Sequence, residues 1–265
     1  MHESPSLWMQ VYQIITWGFT MSHYWHFYFF RSPIAVESTP RGRIPRAAVL
    51  LPKVPTDVLV IPLSMTLGYV LPTALPAIPS FSKVVRINFL AIWQIFPILV
   101  GISQFVLSRI ARLTYNTKNL SPATARRWLR WTYIYGLALT SAIHVAVLLL
   151  IASPTARGWV MPGIPSDALS FRSVFGTTYG LGPPPPVESF HQGTLDLLLM
   201  DTYWAVAVTA FCALVLGGLP TITTVFWCLV GALVAGPAGG VLTWFWVRDE
   251  KAFKEDSSGK GDKVQ

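Results

Sequence analysis

The chain has 265 residues, of which 52% are hydrophobic and only 12% charged, with a mean hydropathy of +0.49. Soluble domains carry roughly a quarter charged residues, so this composition excludes an ordinary water-solvated globule and points to lipid as the solvent. The net charge of +8 comes from basic residues in loops between apolar segments, the pattern of a multi-spanning protein, so nucleic acid is not an expected partner.

Crossing the hydrocarbon takes about 20 apolar residues. Six segments reach that length, near 8–30, 58–78, 87–108, 131–152, 197–217 and 222–247. The expected fold is all-α: a polytopic membrane bundle of about six, or with one miscounted seven, transmembrane helices. It forms a single domain over 1–247, followed by a polar disordered tail over 248–265.

The first segment has neither a basic flank before it nor a small-residue cleavage site after it, so it is expected to stay as a membrane helix. It contains HYWHFYFF, with His23 and His26 three residues apart and hence on one helical face. Two histidines fall short of the three or four ligands a metal site needs, and no HExxH pattern is present. No metal and no cofactor is expected.

The second segment contains Pro62, Pro72 and Pro76. Each removes a backbone donor, so a bent or locally open helix is expected, with neighbouring side chains satisfying the freed carbonyls. In the third, AIWQIFPILVGISQF, Pro97 follows Gln94 closely, and Gln94 and Gln104 read as polar links between helices. In the fourth, His144 lies amid apolar residues and is expected to be neutral.

A long connection follows, Ser153 to Asp196, containing four consecutive prolines and several aromatics. It is either a cap over the helix ends or a lid over a cavity. The fifth segment, LLLMDTYWA, carries Asp201, with Asp196 at its mouth. Five residues apart, the two acids are offset by about 140° and are not a carboxylate dyad. Ionisable groups at membrane depth are functional candidates by default. A carboxyl group kept neutral there is a usable general acid, which makes Asp201 the first choice for chemistry. Cys212 and Cys228 lie in apolar stretches without metal or disulfide spacing.

Loop charges suggest an orientation. The loops at 31–57 and 109–130 are basic and read as cytoplasmic. Six spans would then put Arg248, Lys251 and Lys254 on the opposite side, against the rule. Either one segment is re-entrant or the helix count is off by one.

The segments HYWHFYFFRSPI (23–34), LGYVLPTALPAIPS (67–80), AIWQIFPILVGISQFVLS (91–108), SAIHVAVLL (141–149) and LLLMDTYWA (197–205) occur in an order that resembles one fungal group. It comprises the integral-membrane proteins of secondary-metabolite gene clusters, including membrane terpene cyclases of meroterpenoid pathways of the ascofuranone and ascochlorin type. That family commonly has a Phe-Leu-Gln-Trp-Asp-type run; here Asp201 matches the acid, while Met200 replaces the aromatic and Leu199 the glutamine. No DDxxD or NDxxD motif for a metal-bound diphosphate occurs.

The resemblance implies a membrane-bound terpene cyclase of the endoplasmic reticulum that protonates an epoxidised or olefinic prenyl chain, on a prenylated aromatic or polyketide substrate. In that reading Asp201 is the acid, and His144 or His23 takes the final proton. Tyr24, Trp25, His26, Trp93, Gln94, Tyr203 and Trp204 contact the substrate or its cation. Besides membrane lipid and that small-molecule substrate, other pathway enzymes are candidate partners. The alternatives are a non-catalytic membrane protein, a small transporter, or another isomerase or hydrolase on the same scaffold.

Overall fold

The computed structural model describes residues 17–31, 50, 54–78, 80–115, 120–160, 170–176, 190–217 and 221–257. The expected helix at 8–16, the four-proline run, most of the basic loop at 31–57 and the tail beyond 257 lie outside them. Among the described residues there are helices and no strand.

The first helix, α1, is Trp17–Arg31. The proline-rich segment is then broken into α2 (Pro55–Leu59), α3 (Ile61–Met65), a π-helical turn (Thr66–Val70), α4 (Leu71–Ala74) and a 3-10 turn (Leu75–Ala77). Apart from the π-helical turn, each piece has a proline in its first two positions, where the missing N–H has no helical partner to lose. Of the carbonyls four residues before Pro62, Pro72 and Pro76, that of Val58 accepts from the Thr132 hydroxyl at 3.3 Å, as expected. Thr66 donates to the Pro62 carbonyl at 2.8 Å and Thr73 to that of Tyr69 at 2.7 Å, neither of which a proline frees.

The third expected span is also divided, into α5 (Lys83–Trp93) and α6 (Phe96–Thr114), with Pro97 opening the second piece. Gln104 of α6 donates to the Asp57 carbonyl at 2.7 Å and accepts from Ser64, so it is the interhelical link its position suggested. The 31-residue α7, Pro122–Ala152, begins with Pro122 behind a Ser121 cap that accepts from the Thr124 amide. Short helices α8 (Pro154–Val160) and α9 (Phe171–Phe175) come from the long connection, followed by α10 (Phe190–Gly217) and α11 (Ile222–Ser257).

α11 is not a straight rod. Gly236 has φ 74° and ψ 176°, a conformation essentially reserved for glycine, and Pro237 follows. A Cβ on Gly239 would lie 2.9 Å from the Gly231 carbonyl oxygen, and one on Gly240 would lie 2.9 Å from that of Cys228. In a continuous helix, residues eight apart are separated by about 12 Å. The chain therefore reverses at Gly236 into two antiparallel limbs, 222–235 and 237–257, held close because glycines line the crossing.

The second limb runs antiparallel along α7, while α10 packs in parallel on α1 and also contacts α11. At one end, Glu250 accepts from Arg126 and Arg130 near the start of α7, each at 2.6 Å. At the other, the hairpin tip meets His144, about 12 Å along α7 before its end at Ala152.

Among the described residues, four helices are long and apolar enough to cross a membrane, Phe96–Thr114, Pro122–Ala152, Asp196–Leu216 and Ile222–Lys254, fewer than the six or seven expected; the expected first span, 8–30, is described only from Trp17. Proline accounts for the broken second segment. The last of the four folds back on itself, and its first limb, about 21 Å long, is shorter than the roughly 30 Å hydrocarbon core. This re-entrant geometry resolves the charge conflict, because it returns Arg248, Lys251 and Lys254 to the basic end of α7. Residues 248–257, expected in a disordered tail, are helical, and Ala252 and Phe253 pack against Leu50 and Leu129.

Candidate functional site

Asp201 lies on α10 in a stripe with Ala205, Val208 and Cys212, spaced by four, three and four residues as one helical face requires. Ala205 and Cys212 are buried, and Val208 packs with Cys212 and Leu216 against Trp25 of α1. Asp201, half-buried, thus faces α1 rather than the outer surface. Two side-chain bonds lock this pairing: Trp204 Nε1 donates to Ser22 Oγ at 3.2 Å, and Trp25 Nε1 to Thr209 Oγ1 at 3.1 Å. Asp196 is buried near the start of α10.

The long connection reaches this region from above. The Tyr203 hydroxyl donates to the Phe175 carbonyl at the end of α9. The Phe175 ring lies 5.9 Å from that of His144. A Cβ on Gly236 would sit 3.2 Å from His144 Nδ1. α9 therefore covers the hairpin tip, and His144 lies between tip and cover.

The other expected residues divide into two groups. Tyr24 and Trp25 are in the α1–α10 interface, packed edge to face with centroids 5.4 Å apart. His23 and His26 are both exposed, and His26 packs on Phe30. Trp93 and Gln94 are placed elsewhere: Trp93 Nε1 donates to Thr73 at 2.9 Å and its ring stacks on Phe96, while Gln94 is exposed at the α5–α6 junction. Among the described residues no group of three His, Cys, Asp or Glu side chains is placed to hold a metal.

The structure also assembles a polar cluster that the sequence did not suggest. Arg248 donates through Nε (2.8 Å) and Nη2 (2.6 Å) to one Asp249 oxygen, and Tyr133 of α7 donates to the other at 2.7 Å. Arg248 and Asp249 are 8% and 4% exposed, and Arg248 Nη1 is buried without an acceptor. The guanidinium lies 5.0 Å from the Phe245 ring centroid, and Phe245 stacks on Trp25 at 5.9 Å with an 11° interplanar angle. In sequence, RDEK after an apolar run reads as a solvated tail. The signal overlooked was the apolar spacing Phe245, Ala252, Phe253, which carries the helical period through the charges.

Two open-sided apolar cavities flank the hairpin. One, of about 410 Å³, lies between its limbs and α7, bordered by Leu137, Ser141, Trp227 and Trp246. The other, of about 300 Å³, lies between the limbs and α10, bordered by Val206, Ala210, Cys228 and Trp244.

No curated protein and no solved structure matches this chain. The model of one family does, over residues 1–253: the CtvD domain, a family name linked to a secondary-metabolite cluster protein. Since that match spans nearly the whole chain, the protein belongs to the CtvD family.

Proposed function

We propose that the chain is a membrane-embedded, metal-independent terpene cyclase of secondary metabolism, sited in the endoplasmic reticulum, that uses Asp201 as a Brønsted acid. The observation that carries this reading is the position of Asp201: an acid at membrane depth, half-buried, on the stripe shared with buried Ala205 and Cys212 and turned towards α1. Asp201 gives its proton to an epoxide oxygen or an olefin of the prenyl chain. The opening C–O bond, or the protonated alkene, leaves a carbocation that the next double bond attacks. The last cation loses a proton to a base, for which His144 is the candidate because His23 is exposed; return of that proton to Asp201 resets the acid, so the net reaction is an isomerisation. Aromatic faces stabilise passing positive charge by about 0.5–2 kcal/mol each, for which half-buried Tyr24 is the candidate on α1, since Trp25 is covered by Phe245; exclusion of water prevents interception of the cation.

The test is to supply an epoxyfarnesyl aromatic substrate to membranes that express this chain alone. Wild type should cyclise it, and Asp201→Asn, which keeps shape, should be slower by about a hundredfold or more. Equal rates would remove Asp201 from the acid role. A second reading, a non-catalytic membrane protein or small transporter, draws support from the two described cavities, which lie along the hairpin rather than beside Asp201. Failure of wild type to turn over the substrate would favour it.

A further inference from the structure

The cavity between the hairpin and α7 is apolar along its length, and a basic rim lies beyond one end. Its walls include Leu137, Trp227, Val234 and Trp246. It has two hydroxyls, Ser141 and Thr243, and Thr243 is spent on the Gly239 carbonyl of its own limb at 2.8 Å. Ordered water needs two to four polar partners, which this lining does not offer. Open-sided and set among helices long and apolar enough to cross the membrane, the cavity meets hydrocarbon.

The rim follows from the helical period of α7. The flank that carries Leu137 and Ser141 continues towards the start of the helix through exposed Ile134 and Arg130 to Arg127. All of these lie within about 60° of Ile134 around the axis. Arg130 is about 10 Å and Arg127 about 15 Å along the axis from Leu137. On the hairpin side, Trp246 leads to the same place, its Nε1 donating to Glu250 at 3.4 Å. Arg126 and Arg130 already share Glu250, and two guanidiniums on one carboxylate leave positive charge uncompensated. Arg127 adds to it, exposed and with no ion pair among the described residues.

We propose that this groove holds one anionic phospholipid, with its phosphate on Arg127 and Arg130 and one acyl chain in the cavity. Charge selects the occupant. A neutral hydrocarbon would fill the cavity and leave the arginines unmatched, and a free phosphate would do the reverse. Basic pockets between membrane helices hold anionic headgroups in this way. The site does not involve Asp201 and stands apart from the cyclase reading.

The experiment uses the full chain, delipidated in an uncharged detergent, and two lipids with identical acyl chains, phosphatidylglycerol and phosphatidylcholine. Native mass spectrometry counts the bound lipid, and titration gives its affinity. Wild type should bind one phosphatidylglycerol about twentyfold tighter than phosphatidylcholine, at about fivefold for each basic residue. Arg127→Gln disturbs no ion pair among the described residues and should lose about fivefold. Arg127→Gln with Arg130→Gln should bind the two lipids equally. Arg109→Gln, exposed on α6 at the same end of the bundle, should change nothing. A phosphatidylglycerol with a photoreactive diazirine in mid-chain should label residues 137–141, 227–235 or 243–247. Glycerol 3-phosphate, a head without chains, should not displace the lipid. Equal affinity of wild type for the two lipids, unsaturable binding, an equal loss in Arg109→Gln, displacement by glycerol 3-phosphate, or labelling elsewhere would each overturn the proposal.

Discussion

Replacing Gly236 with alanine tests the hairpin directly. At φ 74° and ψ 176° a side chain strains the backbone by about 1–3 kcal/mol. The added methyl would also meet His144 Nδ1 at 3.2 Å. At about 2–4 °C per kcal/mol for a chain of this size, the backbone part alone lowers the apparent unfolding temperature by about 2–12 °C. The assay is thermal unfolding of the detergent-solubilised protein, followed by loss of the monodisperse peak, at one scan rate for all variants. Gly158→Ala in α8 is the control, since its Cβ would meet nothing within 4 Å. An exposed helical glycine should gain about 0.5–1 kcal/mol on that change. Adding His144→Ala to Gly236→Ala removes the side-chain contact and leaves the backbone strain alone. If Gly236→Ala unfolds at or above the wild-type temperature while Gly158→Ala behaves as expected, the chain does not reverse at residue 236.

Three further outcomes follow from the same geometry. In a background without Cys212 and Cys228, Arg127→Cys and Lys254→Cys should react with an impermeant maleimide from one side of sealed vesicles, and Thr155→Cys from the other; Lys254 reacting together with Thr155 would contradict the re-entrant hairpin. Tyr203→Phe removes the bond to the Phe175 carbonyl and should speed hydrogen exchange across 171–175 by a few-fold to about tenfold, leaving the unfolding temperature unchanged. Unaltered exchange would mean that this bond does not hold α9 in place. Glu250→Gln weakens the contacts to Arg126 and Arg130, whose side chains are 25% and 46% exposed. Solvent screening should hold the loss to about 1 kcal/mol or less, and it should shrink in high salt; a loss of several kcal/mol would show the network to be far better shielded than its exposure indicates.

The likeness to fungal cluster proteins and the CtvD match share a link to secondary-metabolite clusters and no more, while the chemistry is a proposal that rests on Asp201 and the assay that tests it. Of the residues expected to share one site, Tyr24 and Trp25 of α1 meet Asp201's helix in the α1–α10 interface, and Trp204, on that helix, reaches Ser22 of α1. Tyr203 and His144 meet through Phe175. Trp93 and Gln94 do not join either group, because Pro97 ends α5 and turns that segment towards α4 and α6.

Local chemistry is written in the residues themselves, so the membrane class, the proline breaks and the acid within α10 were all legible before any coordinates. A hydropathy window sums along the chain and ignores direction. It reads 222–247 as one long apolar span, whether straight or folded. Only the close approach of Gly231 to Gly239, across a turn that glycine alone accommodates at Gly236, shows that the span doubles back. That reversal carries Arg248 and Asp249 against Tyr133, more than a hundred residues away. Two neighbours in an apparently solvated tail thereby become a buried ion pair, because burial is set by what packs on a residue in space.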